Sequence, residues 1–179
     1  MGRPRGFDEE QVVRAAVQLF GRRSYDGTSV DDLVNHLGVH RGSLYKTFGS
    51  KRGLYLRALR QHVDADVTAL AREVARTDDR VEAIGLVLAA GPGLGLLFLA
   101  MVERAPVDPV VAVETRRALA LLDEATDAEG LTALALGQLL RRRAAGAPEN
   151  PTDGPDRRDD GSDGPVRVSD DHLFEAVPA

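Results

Sequence analysis

From Asp8 to Arg23 the apolar positions Val12, Val13, Ala16, Val17, Leu19 and Phe20 recur at three- and four-residue steps, which predicts a helix with one broad face turned inward. A second helix is predicted to start at Ser29, because Asp32 stands three residues on in a capping-box arrangement. Val30, Leu33, Val34 and Leu37 then share one face, and Gly38 follows where a left-handed turn would end the helix. A third helix places Val39, Leu44 and Phe48 inward and leaves His40, Arg41, Ser43, Lys46 and Thr47 outward, with Gly42 a side-chain-free spot among them. Ser50 caps a fourth helix beginning KRGLYLRAL, which Leu56, Leu59, Val63, Val67, Leu70 and Val74 carry unbroken toward Thr77.

Beyond it, the twenty residues from Ala83 to Val102 carry no charge, and by length alone could span a bilayer. The Gly91-Pro92-Gly93 break argues instead for two shorter buried helices joined by a bend. A helix from about Asp108 to Ala125 turns Val111, Ala118, Leu122 and Ala125 to one side. The next, from about Gly130 to Ala145, is apolar almost all round through Leu131, Leu134, Leu136, Leu139 and Leu140, and closes on Arg141, Arg142 and Arg143, where positive charge suits a helix C-terminus. From Gly146 to Pro165 the chain holds four Pro, four Gly and five Asp with Ala147 as the sole aliphatic side chain, so residues 146–179 are expected to form a disordered tail. No stretch alternates as a strand would. The predicted class is all-α.

Residues 28–48, TSVDDLVNHLGVHRGSLYKTF, read as a helix-turn-helix whose second helix presents polar groups where a DNA major groove would meet them. Residues from about 6 to 62 resemble the N-terminal domain of the TetR family of bacterial transcriptional repressors. The likeness rests on Leu19-Phe20, Tyr25, Gly27 to Val30, Leu37-Gly38-Val39, Gly42 to Tyr45, Phe48, Ser50-Lys51 and Leu54. It implies a helix-turn-helix domain over 6–66 with its motif at about 29–48, and a helical effector-binding and dimerisation body over 67–145. It further implies a homodimer on a palindromic double-stranded operator, repression, and release by a small-molecule effector. DNA contacts are expected from Thr28, Ser29, His40, Arg41, Gly42, Ser43, Tyr45, Lys46, Thr47 and Lys51, while Phe98, Met101 and Val102 are read either as effector contacts or as core packing. Two departures stand out: His40 replaces the small hydroxyl residue that caps the family's recognition helix, and the family's last amphipathic helix has at most Asp170 to Val177 in its place.

Charge sharpens this reading. Residues 1–62 hold 11 Arg plus Lys against 6 Asp plus Glu, a balance of +5, and the remaining 117 residues hold 12 against 22, a balance of −10, within a chain of net −5. A phosphate-binding head on an acidic body has this profile, since the field that matters is local. Both lysines, Lys46 and Lys51, lie in the head, and Arg3 and Arg5 form either an arm suited to a minor groove or a disordered start with no role. With no cysteine there is neither a disulfide framework nor a thiolate metal site. The start lacks the apolar core of a signal peptide, and the expected compartment is the cytoplasm. His62 with Asp66 four residues on reads as a surface ion pair and not a metal site. No nucleophile has a base nearby, so neither enzymatic activity nor a cofactor is expected. The competing class is a helical protein-interaction module that keeps the helix-turn-helix as structure only.

Overall fold

The computed structural model describes residues 8–126 and 130–145, all of them helical or in connecting turns. Arg3, Arg5 and the tail from 146 onward lie outside the described residues. Helix α1 (Glu9–Arg22) starts at Asp8, whose carboxylate accepts the N–H groups of Glu10 and Gln11. All six of its predicted inward residues are buried. Helices α2 (Val30–Leu37) and α3 (Arg41–Phe48) meet at Gly38, whose φ of 62° is the left-handed conformation the turn requires. Leu33 and Leu44 are fully buried.

The fourth helix forms as predicted, with one feature the periodicity does not reveal. It runs as α4 (Lys51–His62), a π-helical turn (Val63–Val67) and α5 (Thr68–Val74), with Leu56, Leu59, Val63, Val67, Leu70 and Val74 all buried. The widened turn sits beside His62. That residue does contact Asp66, Nδ1 to Oδ2 at 2.7 Å, yet the imidazole is wholly buried, so the pair is only half at the surface. The expected boundary between residues 66 and 67 falls within this turn, and one rod serves both parts of the molecule.

The uncharged stretch bends as expected: α6 (Arg80–Ala89), a 3-10 turn (Gly91–Leu94), α7 (Gly95–Leu99) and a second π turn (Ala100–Arg104). Among the described residues no helix is long and apolar enough to cross a membrane. Helix α7 packs on α1, α8 (Pro109–Thr126) on α5, and α9 (Leu131–Ala144) on α6. Helix α9 buries Leu136 and Leu139 but exposes Leu134 and Leu140.

Candidate nucleic-acid interface

The interface is built from a rigid inner side outward. Ser29 closes the capping box: its hydroxyl accepts the Asp32 N–H at 3.0 Å, while its own N–H donates to Asp32 Oδ2 at 2.8 Å. The Ser29 hydroxyl and N–H, with Arg23 behind them, hold the Asp32 carboxyl below the usual carboxylate range. Thus Ser29 is exposed but its hydroxyl is engaged in the cap. Thr28, expected among the DNA contacts, is withdrawn altogether. Its side chain is buried and its hydroxyl lies 2.8 Å from the Ser24 carbonyl oxygen and 3.1 Å from that of Arg23, so it ties down the turn after α1.

Along α3 the expected face is open. His40, Arg41, Gly42, Tyr45, Lys46 and Thr47 are exposed and Ser43 is half-buried, while Leu44 anchors the opposite side. A Cβ added at Gly42 would meet nothing within 4 Å, so the backbone there is free to approach another surface closely. His40 takes the N-cap position without a hydrogen bond from the helix to its side chain, leaving the first N–H groups of α3 uncapped by it. Arg41 is not free: its Nη2 donates to Asp31 Oδ1 at 2.5 Å. No local pattern in the sequence marks Asp31 as that partner, because the two residues lie 10 apart and meet only through the turn at Gly38.

Behind this face, Tyr25 joins the head to the body. Lys51 Nζ lies 4.1 Å from its ring centroid and Arg104 Cζ 4.5 Å, so two cations contact one aromatic ring. Phe20 and Tyr55 meet edge to face, as do Tyr25 and Tyr55. The Glu103 carboxylate accepts the N–H of Tyr25 at 3.0 Å and of Asp26 at 3.4 Å. Arg52, in the first turn of α4, donates through Nε and Nη2 to both oxygens of Asp108, at 2.7 and 2.9 Å. That hydrogen-bonded guanidinium, helped by the N–H groups of Val111 and Val110, outweighs burial and brings the Asp108 carboxyl down to about 2. No sequence signal marks Glu103 or Asp108, which lie 78 and 56 residues from their partners.

The three expected effector residues are placed unequally. Phe98 is buried in the core, Met101 is half-buried against it, and Val102 is 65 % exposed, so Val102 lines no enclosed space in this conformation. A cavity of about 240 Å³ lies instead among Val74, Thr77, Asp79, Arg80, Ala83 and Ala125, where the ends of α5 and α8 meet the start of α6. Among the described residues there is no group of three or more metal-ligating side chains.

The arrangement defines a helix-turn-helix domain, its second helix exposed along one polar face, mounted on a helical body. Residues 12–58 match the sequence profile of "Bacterial regulatory proteins, tetR family", and this N-terminal domain belongs to the TetR family. The uncharacterised HTH-type transcriptional regulator YezE of Bacillus subtilis is 39% identical over 84 residues, 47% of this chain and 43% of the relative. The HTH-type transcriptional repressor BdcR of Escherichia coli is 42% identical over 77 residues, 43% of this chain and 39% of the relative. The matched stretch thus spans less than half the length of either relative. A cysteine-substituted mutant of the TetR family transcriptional regulator CifR, solved with 26-bp double-strand operator DNA, shares the fold with a TM-score of 0.56 at 21% identity. That likeness covers 80% of this chain and 91% of the other.

Proposed function

We propose that the chain is a sequence-specific transcriptional regulator that represses from a palindromic operator as a homodimer and leaves it when a small molecule binds the body. The observation that carries the proposal is the outer face of α3, where His40, Arg41, Gly42, Tyr45, Lys46 and Thr47 stand exposed together on a helix pinned from behind by Leu44. Two relatives named as transcriptional regulators and a neighbour seen with operator DNA support it. In this reading the head spans 6–66, with Arg3 and Arg5 reaching a minor groove, and the body spans 67–145. Two heads linked through their bodies make the second half-site contact intramolecular, which raises affinity without new contacts. An effector touching Phe98 and Met101 would act next to the π turn whose Glu103 and Arg104 grip the Tyr25 segment, and so would shift the head. Such a ligand releases the operator only to the extent that it binds the two arrangements differently.

The test separates reading from holding. An operator is selected from a randomised duplex pool with the wild-type protein, and variants are titrated on it and on a scrambled duplex at several salt concentrations. Arg41→Ala is expected to weaken operator binding by roughly 1–3 kcal/mol of lost discrimination, with little change on scrambled DNA. Lys51→Ala, which removes the ammonium that lies over the Tyr25 ring at the start of α4, should weaken both alike and lower the salt slope by about one unit. A pool from which no duplex is enriched overturns the proposal and leaves an interaction module.

A further inference from the structure

We infer that Asp31 is a specificity-determining residue that holds the Arg41 guanidinium away from the phosphate backbone and reserves it for a base edge. This rests on the reading of α3 as the groove-entering helix and deepens it. Asp31 stands in the first turn of α2 and Arg41 in the first turn of α3, 10 residues apart in sequence, and the turn at Gly38 brings them together. Both side chains are exposed, Arg41 at 54 % and Asp31 at 76 %, so their pairing at 2.5 Å contributes little to folding and lies open to whatever α3 touches. The contact uses Nη2 alone, and Nε and Nη1 have no partner among the described residues.

An unpaired arginine on such a face is a long, mobile cation that settles on any phosphate in reach. Such contacts add affinity but carry no sequence information. The Asp31 carboxylate cancels that attraction at short range and itself repels a phosphate approaching the pair. A guanine edge is affected less, because it is uncharged and offers two acceptors that a guanidinium can meet with paired N–H groups. Asp31 therefore penalises the unspecific use of Arg41 more than the specific one.

Asp31→Asn, Arg41→Ala and the double variant are titrated on the selected operator and a scrambled duplex at several salt concentrations, with the melting temperature of each recorded. Asp31→Asn is expected to bind the scrambled duplex about 3- to 10-fold tighter, with a salt slope steeper by about one unit, as one more phosphate contact would give. Its operator affinity should change by less than about 2-fold, its melting temperature should hold, and its effect should vanish in the Arg41→Ala background. Equal tightening on both duplexes would overturn the inference, since Asp31 would then act as bulk charge. So would an effect that persists without Arg41. If the wild-type protein enriches no duplex, the groove reading itself fails and this inference with it; enrichment with an unchanged specificity ratio sinks the role of Asp31 alone.

Discussion

His40 holds the N-cap of α3 with extended dihedrals, φ −71° and ψ 141°, yet accepts nothing from the helix it precedes. A serine there would reach the N–H of the second or third helical residue with its short hydroxyl, as Ser29 and Ser50 do for α2 and α4. His40→Ser should therefore stabilise the fold by about 0.5–1 kcal/mol, read as a higher urea midpoint at unchanged slope. An unchanged midpoint would mean that those N–H groups already have a partner. Thr28 and Ser29 show how differently two adjacent hydroxyls can be used. Both read in sequence as polar residues at the mouth of the motif. The short range of a cap makes Ser29 legible from Asp32 alone, whereas the burial of Thr28 depends on where the chain returns to Arg23 and Ser24, which no local pattern records.

The junction of α3 with α4 turns on Gly53. A Cβ there would run into the Phe48 carbonyl oxygen, so the two helices cross closely because this residue lacks a side chain. Gly53→Ala should force α4 away from the end of α3, lowering stability by roughly 1–3 kcal/mol in a denaturant titration and weakening DNA binding beyond that. Gly42→Ala is the contrast, since its Cβ would meet nothing, and its melting curve should not fall. If both variants melt alike, the close crossing does not constrain the head. Sequence patterns exposed the helix starts at Asp8, Ser29 and Ser50, the Gly38 turn and the inward faces of α1 to α5, because each signal lies within one or two helical turns. They did not expose Gly53, whose constraint comes from the end of the preceding helix, nor Asp31 for Arg41 or Glu103 for Tyr25, whose partners the fold supplies. The π turn at Val63–Val67 escaped for another reason: its two valines are four residues apart and point inward in either kind of helix.

Across the whole molecule, the α4–α5 rod is fastened to the body by charge at several levels: Arg52 to Asp108, Arg60 to Glu114, and Asp64 to Arg117. With Asp108 titrating near about 2 in place of 3.8, its pairing stabilises the fold fully above the ordinary value, and that contribution is lost as pH falls through the folded one. Arg52→Ala should therefore melt below the wild type at neutral pH, and the gap should narrow between about pH 4 and 2; a gap constant over that window would assign the loss to packing of the Arg52 stem. The far end of the body raises the question of assembly. Helix α9 covers Leu136 and Leu139 against its own chain, while Leu134 at 52 % and Leu140 at 43 % exposure face outward. Ala133, Gly137, Gln138 and Arg141 form an open patch beside Leu134 on the same helix. Small residues next to a leucine let a second helix approach closely, and in the homodimer proposed above a second copy of α9 would supply the matching leucines, as an isologous contact requires. Leu134→Glu with Leu140→Glu would place carboxylates across that contact and should give a monomer by light scattering at micromolar concentration. Its affinity for one half-site should stay near the wild-type value while that for the full palindrome falls about 100-fold or more, because the second head no longer binds intramolecularly. A monomeric variant that still binds the palindrome at full strength would show that pairing of the heads does not depend on α9, and a variant that stays dimeric would place the interface elsewhere on the body.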